Sequence, residues 1–126
     1  MFKIQTQEKI IHKELSYAIT GIFFNVHNEL GRFAKEKQYG NLIETKLKEQ
    51  IITYIRELTI GDSGNVADFN IEDKIIVELK CKSYLVGSDY SQIKRYLHTA
   101  NLELGLLVNL REKILKPRRI LKENNL

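Results

Sequence analysis

The apolar residues of this chain change period twice, and those changes constrain the fold more than any other feature. From about residue 8 to Leu30, Ile11, Leu15, Ala18, Ile22, Val26 and Leu30 recur at steps of three and four, the period of an amphipathic helix. Gly31 stops it, as glycine does just past a helix end. Tyr39, Leu42, Ile43 and Leu47 make a second stripe and predict a helix over about 34–50. The pattern then shifts to β-branched runs at 52–60, 65–71 and 74–82, bounded by Gly61, Asp62, Gly64 and a turn at Glu72, Asp73 and Lys74, which predicts a three-stranded meander. Residues 89–100 return to helical period, with Ile93, Leu97 and Ala100 inward. Residues 104–110 read as a short apolar strand and 114–121 as at best an edge strand, because Pro117 has no N–H for a ladder. The order α-α-β-β-β-α-β-β predicts an α/β protein of the α+β kind, a central mixed sheet flanked by helices.

Composition narrows the classes of function. The 126 residues contain one proline and no repeat or low-complexity tract, so 1–126 is expected to form one unit. No apolar run reaches the roughly 18 residues of a membrane span, and the charges in MFKIQTQEKIIHKEL interrupt the core a signal peptide would need. The lone Cys81 makes neither an internal disulfide nor a thiolate zinc cluster. These features lead to the expectation of a cytoplasmic protein with no membrane partner. His12, His27 and His98 form no H-x-x-x-H pair, and neither Gly61 nor Gly64 begins a phosphate loop. The net charge of +4 is concentrated: residues 111–126 hold six Lys or Arg against two Glu, while the first 110 residues hold 14 of each sign. If that segment returns along the sheet edge, Arg118 and Arg119 are candidates to contact phosphates; the alternative is a solvated basic tail.

The segment ADFNIEDKIIVELK, residues 67–80, carries the chemistry. Side chains alternate along a strand, so Glu78 and Lys80 share one face while Val77, Leu79 and Cys81 take the other. A three-residue loop at Glu72, Asp73 and Lys74 sets Asp68 opposite Glu78, at the about 4.5–5.5 Å Cβ spacing of cross-strand partners. Two carboxylates that close repel unless one is protonated or a cation neutralises them. Mg²⁺ is held by one or two carboxylates plus phosphates and waters. Lys80 would orient or help deprotonate a water, or stabilise charge growing on a phosphate. The alternative is an exposed hairpin face with a salt bridge worth about 0–1 kcal/mol.

The runs HNELGRFAKEKQYG, NVADFNIEDKIIVELK, SQIKRYL, LGLLVNL and PRRIL together resemble the GxxExxY proteins, a branch of the PD-(D/E)xK nuclease superfamily, over roughly residues 10–121. The resemblance implies a restriction-endonuclease-like core, with Asp68 as the first acidic position and Glu78 and Lys80 as the E-x-K. It also implies that the Leu79 carbonyl can ligate the metal, that Gln92 and Tyr96 match a Q-x-x-x-Y, and that Glu36 and Tyr39 match the E-x-x-Y. Here four residues separate Gly31 from Glu36, where the family pattern has two.

The outer residues each have a second reading. Glu36 is a metal ligand or a first-turn acid stabilised by the helix dipole. Gln92 points at a nucleotide or a water, or caps the helix three residues after Asp89. Tyr96 meets the nucleic acid or fills the core. The leading expectation is a Mg²⁺- or Mn²⁺-dependent phosphodiesterase acting on DNA by metal-activated water attack. In it, Asp68, Glu78, Leu79 and Glu36 are the metal ligands, Asp68, Glu78, Lys80 and Gln92 the catalytic set, and Gln92, Tyr96, Arg118 and Arg119 the nucleic-acid contacts. The alternative is a catalytically silent nuclease fold that binds nucleic acid or a protein. A homodimer or partner protein stays open.

Overall fold

A computed structural model describes residues 10–62 and 64–123. Its elements follow the expected order: α1 (Lys13–Leu30), α2 (Glu36–Glu49), β1 (Tyr54–Ile60), β2 (Asn65–Ile71), β3 (Ile75–Lys80), α3 (Gly87–Ala100), β4 (Leu104–Asn109) and β5 (Arg118–Leu121). The first helix begins later than its apolar stripe suggests. His12 stands in the left-handed region at φ 51° and forms a turn with Ile11, Ile10 before it is irregular, and residues 8 and 9 lie outside the described residues. Gly31 closes α1 at φ 74°, a conformation that favours glycine, with its N–H donating to the His27 carbonyl.

The strands form one sheet in the order β1-β2-β3-β4-β5. The meander is antiparallel, α3 carries the chain over to a parallel β4, and β5 closes the far edge antiparallel. Pro117 immediately precedes β5, where its missing N–H costs no ladder bond. The central β3 and β4 are buried on both faces, which explains their nearly unbroken apolar sequences. One face packs against α1 and α2 through Ile22, Phe23, Tyr39, Ile43, Phe69, Val77 and Leu106. The other packs against α3 through Ala67, Ile76, Ile93, Leu97 and Leu107.

One irregularity bears on the site. Strict alternation would put Ala67 on the face that holds Phe69 and Ile71, yet Ala67 packs with α3. Across the ladder, Tyr54 lies against the α1–α2 core and Leu58 against the α3 core. Both strands therefore turn over between these residues. Pairing runs Arg56 to Phe69 and Leu58 to Ala67, omitting Glu57 and Asp68, and Glu57 sits at φ 59°. Such a local break re-aims a side chain, as bulges do beside active sites.

Gly105 lets α3 approach the sheet. A Cβ there would lie 2.7 Å from Ile93 Cδ1 and 2.9 Å from its Cγ1. Gly105→Ala is expected to cost about 1–3 kcal/mol through overpacking, read as a lower chemical-denaturation midpoint; an unchanged midpoint would show that α3 has slack here.

Candidate active site

Paired residues of β2 and β3 run from Ile71–Ile75 to Phe69–Val77, and there the backbone ladder stops. Side chains take over. The Asp68 N–H donates to Glu78 Oε1 at 2.9 Å, and the Leu79 N–H donates to Asp68 Oδ2 at 2.7 Å. The expected register, Asp68 across from Glu78, continues the sequence of these pairs. Each carboxylate holds the main chain beside the other, which fixes the two acids near one another. In an extended strand a residue's N–H and C=O point to the same side. The Leu79 carbonyl therefore faces β2 along with its amide, whereas Lys80, whose carbonyl accepts from Leu110 N–H at 2.8 Å, faces β4.

Burial sets the charge state of this pair. Glu78 is 4% exposed. Burial first, and the adjacent Asp68 charge second, push its carboxyl up to about 8. Burial likewise pushes Asp68 up to about 6, opposed by the Leu79 amide and aided by the Glu36 charge. Between those values the pair keeps a proton, as two carboxylates in one poorly solvated site must. The donor set is hard oxygen, which suits Mg²⁺ or Mn²⁺ rather than zinc.

Lys80 shares the face of Glu78, but α3 holds its head. Its Nζ donates to Gln92 Oε1 at 3.0 Å and lies 3.8 Å from Asp89 Oδ1. Gln92 is thus committed to Lys80. The helix starts at Gly87, and its capping acceptor is the Asp89 carboxylate, which takes the Val86 N–H at 2.8 Å. Burial alone would raise the Asp89 carboxyl. The hydrogen bond from Lys82 at 2.9 Å, the Val86 amide and the two lysine charges together hold it below its ordinary value.

Asp68 opens on a cavity of about 400 Å³ lined by Glu36, Lys37, Gly40, Arg56, Glu57, Asp68, Phe69 and Leu79. Glu36 is therefore beside the acid pair. Among the described residues no three His, Cys, Asp or Glu side chains converge on one point, so its carboxylate does not close a three-acid cluster. Gly40 makes room for Arg56, whose Nη2 would be 2.5 Å from a Cβ at that position. Arg56 bonds Asn41 and Glu44 and lies over the Phe69 ring.

The remaining expected site residues sit elsewhere. Tyr96 is 3% exposed in the α3 core, which leaves a nucleic acid no face to stack on, although its hydroxyl feels the Glu78 charge. The segment carrying Arg118 and Arg119 does return as the sheet edge, but both guanidiniums are occupied. Arg118 grips Glu112 through two bonds at 3.2 and 3.0 Å, and Arg119 bonds Ser16 Oγ and the Ile11 carbonyl. Contact with phosphate would require them to exchange these partners. His27 donates from Nε2 to the Glu112 carbonyl, and Cys81 is half-buried against the α1–α2 core. Asp89 and Arg56 escape the reading of sequence. Taking residue 89 as the helix start made its carboxylate look like a cap alone, and Arg56 carries no pattern beyond strand alternation.

A helix-flanked mixed sheet with an acid pair where the meander's second and third strands part, and a lysine two residues on, is a restriction-endonuclease-like fold. A family model described as the PD-(D/E)XK nuclease superfamily matches residues 13–120, and the chain belongs to that superfamily. Searches of curated proteins and of solved structures return no match.

The acid pair makes stability depend on pH. These carboxyls have ordinary values of 3.8 and 4.5 and are raised in the fold, so the stability they contribute is complete below those values and is lost progressively as pH rises above them, until it is gone beyond about 6 for Asp68 and about 8 for Glu78. With EDTA present, thermal unfolding of wild type is expected to fall over this window relative to Glu78→Gln. Mn²⁺ is expected to raise the midpoint more at pH 8 than at pH 6, because it competes with the proton. Parallel profiles for the two proteins would contradict a shared proton.

Proposed function

We propose that this protein is a Mg²⁺- or Mn²⁺-dependent phosphodiesterase acting on DNA, of the GxxExxY branch of its superfamily. The observation that carries the reading is the Asp68–Glu78 pair: two largely buried carboxyls, each accepting the main-chain amide beside the other, with Asp68 lining a cavity that Glu36 also lines. Asp68 and Glu78, with the Leu79 carbonyl, are the groups that would hold the ion, and Glu36 is the candidate outer ligand at the cavity wall. A divalent cation bound there supplies Lewis acidity at a phosphate oxygen and neutralises the two carboxylates.

The protein's own part is positioning. Lys80 presents an ammonium beside the acids, where it can orient the attacking water and stabilise charge that develops on the phosphate. Gln92 fixes the lysine by accepting one of its protons, and Asp89 balances the charges of Lys80 and Lys82 from beneath the helix start. In the cleavage step a water oxygen bonds to phosphorus, a P–O ester bond breaks, and one proton of the water ends on the departing oxygen, which leaves as a hydroxyl, while the other stays with the phosphate.

A plasmid-nicking assay with Mg²⁺ or Mn²⁺ tests this, with labelled single- and double-stranded oligonucleotides alongside. Wild type is expected to cleave and EDTA to abolish cleavage. Asp68→Asn and Lys80→Ala are each expected to slow it by about 10²–10³-fold, and Gln92→Ala by about 10–100-fold. No cleavage of any substrate, or equal cleavage by the variants, would leave a nuclease fold that binds without cutting.

A further inference from the structure

Phe33 is 72% exposed in the loop between α1 and α2. An exposed apolar side chain is ordinary by itself, but this one is framed by two guanidiniums. The Arg32 Cζ lies 4.7 Å from the ring centroid and the Arg111 Cζ 5.5 Å. The two cations are locked across the loop by reciprocal bonds: Arg32 Nε donates to the Arg111 carbonyl at 2.9 Å, and Arg111 Nε to the Arg32 carbonyl at 2.8 Å. Beneath them the fully buried Tyr39 fastens the loop, its hydroxyl donating to the Gly31 carbonyl and accepting from the Ala34 N–H. Both guanidiniums lie over the ring, yet at 72% exposure much of the side chain still faces solvent.

This corner adjoins the acid pair. Arg111 follows Leu110, whose N–H bonds the Lys80 carbonyl, and Glu36 on the cavity wall is three residues after Phe33. Both arginines spend only Nε on the protein; among the described residues their terminal nitrogens make no hydrogen bond. A largely exposed aromatic ring with two guanidiniums packed on it matches one ligand chemistry, a nucleic-acid base with its flanking phosphates. A duplex interior offers no exposed base face to such a ring, whereas a single strand offers one at every nucleotide.

We infer that Phe33 is a stacking platform for an unpaired base, with Arg32 and Arg111 holding the adjoining phosphates, so that single-stranded nucleic acid is the form led to the acid pair. This inference rests on the nuclease reading for its location and deepens it by naming the substrate's strandedness. It differs from that reading in needing no cleavage to be tested.

The test is a titration of the full chain, in EDTA, into a single-stranded oligonucleotide carrying 2-aminopurine, whose emission is quenched when the base stacks. A fully paired duplex of the same sequence serves as reference. Wild type is expected to quench the single strand. Phe33→Ala is expected to lose the quench and weaken single-strand affinity by about 5–150-fold, with duplex affinity unmoved. Phe33→Leu, which keeps apolar bulk and lacks a π face, is expected to behave like the alanine variant, and Phe33→Trp to retain both quench and affinity. The platform is overturned if wild type binds no single strand, if Phe33→Leu matches wild type, or if single-strand and duplex binding fall together. Quenching without cleavage in the nicking assay would overturn the nuclease and keep the platform; cleavage with Phe33-independent binding would do the reverse.

Discussion

Everything about the site depends on the backbone ladder between β2 and β3 ending one step early. Had pairing continued past Phe69 and Val77, the amides of Asp68 and Leu79 would be engaged main chain to main chain, and the two carboxylates would be free to turn to solvent. Because it stops, each carboxylate is recruited as the acceptor for an amide of the opposite strand. An ionised oxygen accepting an amide proton is a strong bond, and it draws two like charges into a buried place they would otherwise avoid. The fold thus uses the same atoms twice. They close the sheet in place of ladder bonds, and they bring the Asp68 charge close enough to push the Glu78 carboxyl up.

The turnover of β1 and β2 at Glu57 and Asp68 makes that arrangement possible. Ala67 and Phe69 are both buried, on opposite faces of the sheet. Asp68 between them is freed from alternation and aims at the strand boundary. Lys80 reaches the same place from the other direction, steered by Gln92 on a helix that packs closely because position 105 has no side chain. The chemistry of the site is therefore set by two packing events, a strand reversal on one side and a close helix on the other, neither of which involves a site residue alone.

These two events also divide what could be read in the sequence from what could not. Element order, a mixed sheet flanked by helices, and the Asp68–Glu78 register follow from periodicity and from one loop length, because a slip of one residue would expose a whole strand face. The start of α1 is not legible, because Ile11 fits the helical stripe while the chain at His12 turns left-handed. Gln92 could be read as a cap or a site residue; the structure assigns the cap to Asp89, because α3 begins two residues earlier than its apolar pattern. The positive φ of Glu57 had no signature, since glutamate is no more suited than its neighbours to that conformation. Asp89 as a charge partner was invisible because its lysines lie seven and nine residues back across a loop.

Charge placement was read correctly and yet did not locate a binding face by itself. The excess of cations after residue 110 is real, but Arg118 is neutralised by Glu112 and Arg119 is absorbed by neutral acceptors on α1 and its approach. Arg111 differs: it is joined to Arg32 through main-chain carbonyls, and among the described residues no carboxylate pairs with either guanidinium. A polyanion approaching two buried acids is repelled by them, and that repulsion is met at the rim of the site only by cations that keep their charge. The corner between α1 and α2 provides such a pair, beside the strand end that carries Lys80. The functional weight of the basic residues thus depends on what each one is paired with, which the count along the chain does not contain.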